Sequence, residues 1–269
     1  MIAEIGGKRF DWGSRTYVMG IVNVTPDSFS GDGVGADADV AVAQGTRMVE
    51  EGADLLDVGG ESTRPGHVQV SAAEEISRTE AVVRRLARDS GVPVSIDTYK
   101  EQVAEVAVAA GATIVNDIWG LTRSPAMVEL AARRRCGLVL MHNQDGTEYA
   151  RDLLEEIKRF LSEAVAKARS AGIPAERIIV DPGIGFGKTA DQNWEVMRRF
   201  DELQELGQPI LVGTSRKSFI GKLLDVPVED RLEGTMATVV AAVLRGADIV
   251  RVHDVAQMKR AVRVADRLR

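Results

Sequence analysis

Short apolar runs alternate with longer amphipathic stretches along the whole chain. The runs fall at 17–22, 55–58, 92–96, 113–115, 137–141, 177–180, 209–212 and 247–250. Between them, over 38–51, 71–90, 101–110, 124–135, 152–171, 190–206, 230–245 and 256–268, apolar residues recur at three- and four-residue steps, which places them on one side of a helix. The stretch 152–171 is the most regular. Leu153, Leu154, Ile157, Leu161, Ala164, Val165 and Ala168 form one stripe, with Glu155, Glu156, Lys158, Arg159 and Lys167 opposite. Gly172 then stops the helix and Pro174 prevents its continuation. Gly52, Gly111 and Gly246 close other stretches and lead into the next run. The runs are continuous in Val, Ile and Leu rather than alternating, as parallel strands covered on both faces require. Eight strand–helix units without a break in composition predict an α/β fold, a (β/α)₈ TIM barrel in a single domain over residues 1–269. A doubly wound sheet is the alternative, because period alone does not show closure. Residues 1–15 are expected to cap the N-terminal end of the barrel.

Composition narrows the classes. With 269 residues, 45% apolar and 28% charged, the chain can bury a large core and is not a disordered segment. Cys136 is the one cysteine, so no disulfide forms within the chain and a cysteine zinc site is not expected; the residue reads as a small core side chain. The start has no apolar signal region and no run approaches the roughly 18 residues of a membrane span. A cytoplasmic protein with no membrane partner is expected. A net charge of −6 argues against nucleic acid as a partner.

In a (β/α)₈ barrel the chemistry collects where strands end. Here every run leads into polar residues: Asn23, Asp57 with 59–66, Asp97 and Thr98, Asn116 and Asp117, His142, Asp181, then 213–218 and 251–254. Any one of these suits an ordinary cap or turn; eight rows converging imply a site at that face. Asp97, Asn116 and Asp181 offer acceptors and an amide to a flat heterocycle with several N–H donors. Arg64, Lys217, Arg251 and His253 offer positive or potentially positive groups, an anion cradle on the side where barrels often hold phosphate. Gly-Ile-Gly-Phe-Gly-Lys-Thr at 183–189 approaches a phosphate loop, but three residues rather than four separate Gly183 from Gly187. Pro182 also has no N–H to give. His67, His142 and His253 lie on separate loops without metal-motif spacing, so a histidine zinc site is not expected. Trp119 suits either stacking on a ligand or packing beside the fourth run.

The motifs then combine. Asn-Val-Thr-Pro-Asp-Ser-Phe-Ser at 23–30, Gly-Gly-Glu-Ser-Thr-Arg-Pro-Gly at 59–66, Ser-Ile-Asp-Thr at 95–98, Asp-Pro-Gly-Ile-Gly-Phe-Gly-Lys at 181–188, Thr-Ser-Arg-Lys at 214–217 and Arg-Val-His-Asp at 251–254 resemble the dihydropteroate synthase family. The resemblance runs over about 19–255 with all six segments in order. It implies a pterin-binding barrel that joins 6-hydroxymethyl-7,8-dihydropterin pyrophosphate to para-aminobenzoate, releasing pyrophosphate with Mg²⁺ in folate synthesis, as a homodimer packed through helices on one flank. By position, Asp97, Asn116, Asp181 and Lys217 resemble the family's pterin contacts. Asn23, Arg251 and His253 resemble its pyrophosphate and Mg²⁺ residues, Asn23 as the metal ligand, with Thr63 and Arg64 beside them. Phe186, Lys217 and Ser218 would border para-aminobenzoate, and Ser218 is expected to open a helix. Asn23, Lys217, Arg251 and His253 form the expected catalytic set. Where the family's first loop reads Ser-Asp-Gly-Gly, this chain has Ser30, Gly31, Asp32 and Gly33, so Asp32 is displaced by one position and receives no role. The amine is itself the nucleophile, which implies dissociative substitution at the pterin methylene. A methyltetrahydrofolate-dependent methyltransferase is the alternative; it shares the pterin pocket but has no use for the anion cradle.

Overall fold

The chain opens with an antiparallel hairpin, β1 (Ile2–Ile5) and β2 (Lys8–Asp11), turning at Gly6 and Gly7, both at positive φ. Eight parallel strands follow: β3 (Tyr17–Asn23), β4 (Leu55–Gly59), β5 (Val94–Asp97), β6 (Ile114–Asp117), β7 (Gly137–Met141), β8 (Ile178–Asp181), β9 (Leu211–Val212) and β10 (Ile249–Val252). The computed structural model describes residues 1–25, 34–62 and 69–269. The eight parallel strands lie in the order β8-β7-β6-β5-β4-β3-β10-β9, and a parallel bridge between Val180 and Ile210 joins the two ends. Val180 N donates to Pro209 O there at 2.9 Å. A doubly wound sheet would leave two free edges. The architecture is the (β/α)₈ TIM barrel.

The helices are α1 (Val34–Glu50), α2 (Ala72–Asp89), α3 (Glu101–Ala109), α4 (Met127–Arg134), α5 (Leu153–Ser170), α6 (Ala190–Arg198), α7 (Ser218–Leu224), α8 (Leu232–Leu244) and α9 (Val255–Ala265). In α5 the Asp152 side chain accepts from Leu154 N and Glu155 N, and the seven stripe residues are buried. No helix among the described residues is long and apolar enough to cross a membrane.

One expected helix divides. The stretch 190–206 is α6 followed by a 3₁₀ helix, Phe200–Leu206. Arg199 stands at the break, its guanidinium held by Asp152, Glu195 and Glu202. Beyond it the packed residues Phe200, Leu203 and Leu206 recur every third position, which suits a 3₁₀ helix rather than an α-helix. The stretch 124–135 also starts later than expected, at Met127.

Alternate residues of each strand point into the barrel. Tyr17, Met19, Leu55, Ile114, Val139, Ile179, Leu211 and Ile249 form an interior cluster with Ala3, Ile5, Phe10 and Trp12 of the hairpin and the segment after it. Two residues further along the same strands the interior turns polar: Asp57 follows Leu55, Asn116 follows Ile114, Asp181 follows Ile179 and Arg251 follows Ile249. The hairpin rings pack closely, Phe10 stacking on Trp12 at 5.0 Å and lying 4.9 Å from Tyr17. Trp12 Nε1 donates to Glu176 O, and Gly13 N donates to Asp248 Oδ1.

These contacts place Phe10 at the end of the barrel opposite the polar interior. Phe10→Ala is expected to lower stability by about 3–5 kcal/mol, as loss of a buried ring does. Urea unfolding followed by circular dichroism measures this, and ligand titration of the folded variant should give wild-type affinities.

Candidate active site

The floor of the site is a charge network. Arg251 donates from Nε to Asp57 Oδ2 at 2.6 Å and from Nη2 to Asp97 Oδ2 at 2.7 Å. Asn116 Nδ2 reaches the same Asp57 oxygen at 3.1 Å. Strand register explains the gathering: Asp57 is level with Ser95, and Asp97 with Asn116. Asp57 is wholly buried, and Oδ1 of both Asp57 and Asp97 is buried without a hydrogen-bond partner. Burial pushes the Asp97 carboxyl up to about 7, despite Arg251 beside it. Asp181 is pushed up to about 6 by burial, against the pull of the Gly183 N–H, which it accepts at 2.7 Å. Buried acceptors of this kind are costly until a donor meets them.

Lys217 stands over this floor. Its Nζ lies 4.0 Å above the Phe186 ring, and burial, with Arg251 adding repulsion, lowers its pKa to about 8. Gly185 makes room for it at φ +84; a Cβ there would come within 2.9 Å of Lys217 Cδ. Ser218 begins α7.

The opposite wall belongs to β3 and β10. Asn23 Nδ2 faces His253 Nε2 at 3.5 Å, and Ser215 Oγ lies 2.9 Å from His253 Nδ1 while accepting the His253 backbone N–H at 3.1 Å. In this arrangement Nδ1–H donates to Ser215, Nε2 accepts, and the Asn23 amide oxygen is turned away from the imidazole. Burial, together with Arg251 and Arg216, lowers the His253 pKa to about 3. Of the two charge states the sequence left open for His253, this environment favours the neutral imidazole. Arg216 is paired through two bonds to Asp254.

Asn23, Asp97, Lys217, Ser218, Arg251 and His253 line one cleft of about 1110 Å³, with Ser215 and Arg216. Asn116, Asp181 and Phe186 join it from beneath through Asp57, Gly183 and Lys217. Asp32, Thr63, Arg64 and His67 lie outside the described residues. Trp119 carries the Arg123 guanidinium on its ring at 4.2 Å, so that face is already covered. Cys136 is buried in the core, as expected. Among the described residues no group of three or more His, Cys, Asp or Glu is placed to hold a metal.

Two groups named in the sequence receive no role there. Asp57 lies inside a strand rather than at its end, and only its inward alternation with Leu55 hints at a role. Lys188 was set aside with the failed phosphate loop. Its Nζ is buried against His142 Nδ1, Gly183 O and Phe186 O.

The family model described as pterin binding enzyme matches residues 19–253. The dihydropteroate synthase of Clostridium beijerinckii is 52% identical over 264 residues, covering 98% of both chains. The crystal structure of dihydropteroate synthase from Clostridium difficile in the presence of pteroic acid has a TM-score of 0.94 at 50% identity, covering 96% of this chain and 98% of that one. The Xanthomonas albilineans enzyme with 4-aminobenzoic acid has a TM-score of 0.93 at 42% identity, covering 99% and 97%. The matched stretch takes in the barrel from its first parallel strand to its last, and the chain belongs to the pterin-binding enzyme family.

Proposed function

We propose that the chain catalyses the dihydropteroate synthase reaction, joining 6-hydroxymethyl-7,8-dihydropterin pyrophosphate to para-aminobenzoate with release of pyrophosphate. The observation that carries this reading is one guanidinium joining two unlike half-sites. Arg251 rests on Asp57 and Asp97 at the acidic floor and shares its cleft with Asn23, Ser215 and His253. An acidic floor suits a heterocycle that offers N–H donors and gains positive charge as its leaving group departs. A wall rich in donors suits the diphosphate that leaves. A methyltransferase would use the first half alone.

In this reading Asp97 and Asp181 accept N–H groups of the pterin, with Asn116 and Lys217 completing the pocket. The partly open lone pairs of Asp97 are then satisfied by the ligand. As the methylene C–O bond breaks, its electron pair leaves with the diphosphate oxygen; Arg251 donates to the departing group, and the neutral His253 holds Asn23 and Ser215 in place beside it. The two carboxylates favour the cationic methylene left behind. The amine lone pair of para-aminobenzoate forms the new C–N bond, and the nitrogen gives up a proton to solvent water. Lys217, Phe186 and Ser218 border the amine's side of the cleft, and Thr63 and Arg64 are assigned to the same chemistry by resemblance.

Mg²⁺ is the proposed cofactor. The turned-away amide oxygen of Asn23 fits a hard cation that takes most of its ligands from phosphate oxygens and water rather than from a protein cage. When bound, it would supply charge neutralisation to the departing diphosphate. A second copy of the chain is the proposed partner, on the outer face of α8, where Ala237 and Leu244 are exposed and Val240 and Ala241 half-buried. As an enzyme of folate synthesis, it is placed in the cytoplasm.

The direct test supplies both substrates with Mg²⁺ and follows pyrophosphate and dihydropteroate together. Release of the two in equal amounts, only when para-aminobenzoate is present, is the expected result; pterin consumption without the coupled product would sink the reading. Asp181→Asn is expected to weaken binding of a simple pterin by about 2–4 kcal/mol in calorimetric titration, the scale for losing a charge-assisted pair. The ionised carboxylates are the binding forms, with pKa values raised to about 7 for Asp97 and about 6 for Asp181, so wild-type affinity should hold above about pH 7 and decline in two steps below it, the lower one from Asp181. In the variant that step should vanish, leaving only the one from Asp97 near 7.

A further inference from the structure

The loop that resembles a phosphate-binding loop is built inside out. Its lysine, Lys188, turns back into it, donating from Nζ to Gly183 O at 3.0 Å and Phe186 O at 3.1 Å and meeting His142 Nδ1 at 2.9 Å. Three acceptors match the three N–H bonds of an ammonium. His142 serves as an acceptor because burial, and then the charge of Lys188, drives its pKa far down. Backbone N–H groups that a phosphate loop would offer to an anion are used inside the protein. Gly183 N donates to Asp181 Oδ1 at 2.7 Å and Gly185 N to Asn193 Oδ1 at 2.6 Å. The carbonyls therefore converge on a cation that the chain itself supplies. Gly183 permits this at φ +70, where a Cβ would lie 1.9 Å from His142 O.

What this loop presents outward is the substrate side of the site. Gly183 N holds the Asp181 carboxylate, and Phe186 carries Lys217 Nζ on its ring at 4.0 Å. Lys188 itself is 9% exposed and does not line the cleft. We propose that Lys188 is a positioning residue for the reaction proposed above, its buried ammonium fixing the Asp181 carboxylate and the Phe186 ring through the two carbonyls it holds. The inference rests on that reading for its substrates. Its geometry does not reach the Asn23–Ser215–His253 wall, where no bond from the loop arrives. Removing the ammonium leaves Phe186 O and His142 Nδ1 without a donor and Gly183 O with the Phe186 N–H alone, at 3.1 Å, and the loop must open to find another.

Two variants separate positioning from plain stability. Lys188→Met keeps the apolar stem of the side chain as far as Cε and removes every side-chain N–H, whereas Lys188→Gln keeps two. Each is titrated calorimetrically with 6-hydroxymethylpterin and, separately, with inorganic pyrophosphate plus Mg²⁺. For Lys188→Met the pterin Kd is expected to rise at least about tenfold while the pyrophosphate Kd stays within about twofold, and the KM for para-aminobenzoate should rise with the pterin Kd. Lys188→Gln should fall between Lys188→Met and the wild type. Wild-type pterin affinity in Lys188→Met, or equal weakening of both ligands, overturns the proposal. So does failure of both variants to fold, which would make Lys188 a determinant of the fold. Calorimetry needs no turnover, so a wild type that binds pterin yet makes no product overturns the proposed function alone; one that binds no pterin overturns both.

Discussion

Arg251 is the group on which the site depends. Its guanidinium lies between Asp57 and Asp97 inside the barrel, where a carboxylate must be paired or give up its charge. Breaking a buried arrangement of this kind typically destabilises by about 3–5 kcal/mol. The surroundings extend the same balance. Asp57, Asp97 and Asp181 share the interior with Arg251, Lys188 and Lys217, so acidic and basic groups are matched in number. Burial raises the pKa values of Asp97 and Asp181 and lowers those of Lys188 and Lys217, with Asp97 and Lys188 both near 7. A pocket in that condition holds charge at little distance from neutrality, and a ligand that brings donors for the acceptors and anionic oxygens for the donors fits both halves.

Stability and chemistry occupy opposite ends of the same strands. The period-two alternation of a strand puts Leu55 and Asp57, Ile179 and Asp181, or Ile249 and Arg251 on one inward row. The first member of each pair joins the apolar cluster with the hairpin rings; the second meets the cleft or its floor. The barrel can thus carry buried charge at one end because the other end is closed by Phe10, Trp12 and Tyr17. The loop 182–188 repeats the principle on a smaller scale. Its three glycines at positive φ let the backbone close round Lys188, and this holds Asp181 and Phe186 in place.

Much of this was legible in the residues. Strand runs, the stripe of α5 and the glycine stops are statements about neighbours in sequence, and their boundaries agree with the observed elements to within a few residues. The convergence of Asn23, Asp97, Asn116, Asp181, Lys217, Arg251 and His253 followed from one rule, that barrel strands deliver their last residues to one face. The hairpin was not legible as strands, because Ile2–Ile5 and Lys8–Asp11 are four-residue segments whose apolar positions acquire meaning only against the barrel's end. The break at Arg199 likewise depends on Asp152, which is distant in sequence.

Local periodicity thus settled the alternation of the eight parallel strands with their main helices and the residue types that reach the carboxyl face. Only the tertiary structure decided closure, which rests on the bridge between Val180 and Ile210. It also decided the pairing of Arg251 with Asp57, the inward turn of Lys188, and the neutral state of His253. The physical reason is common to all four. Periodicity and capping are properties of a segment and its immediate neighbours, whereas a partner, a degree of desolvation and a charge state belong to whatever the fold brings alongside.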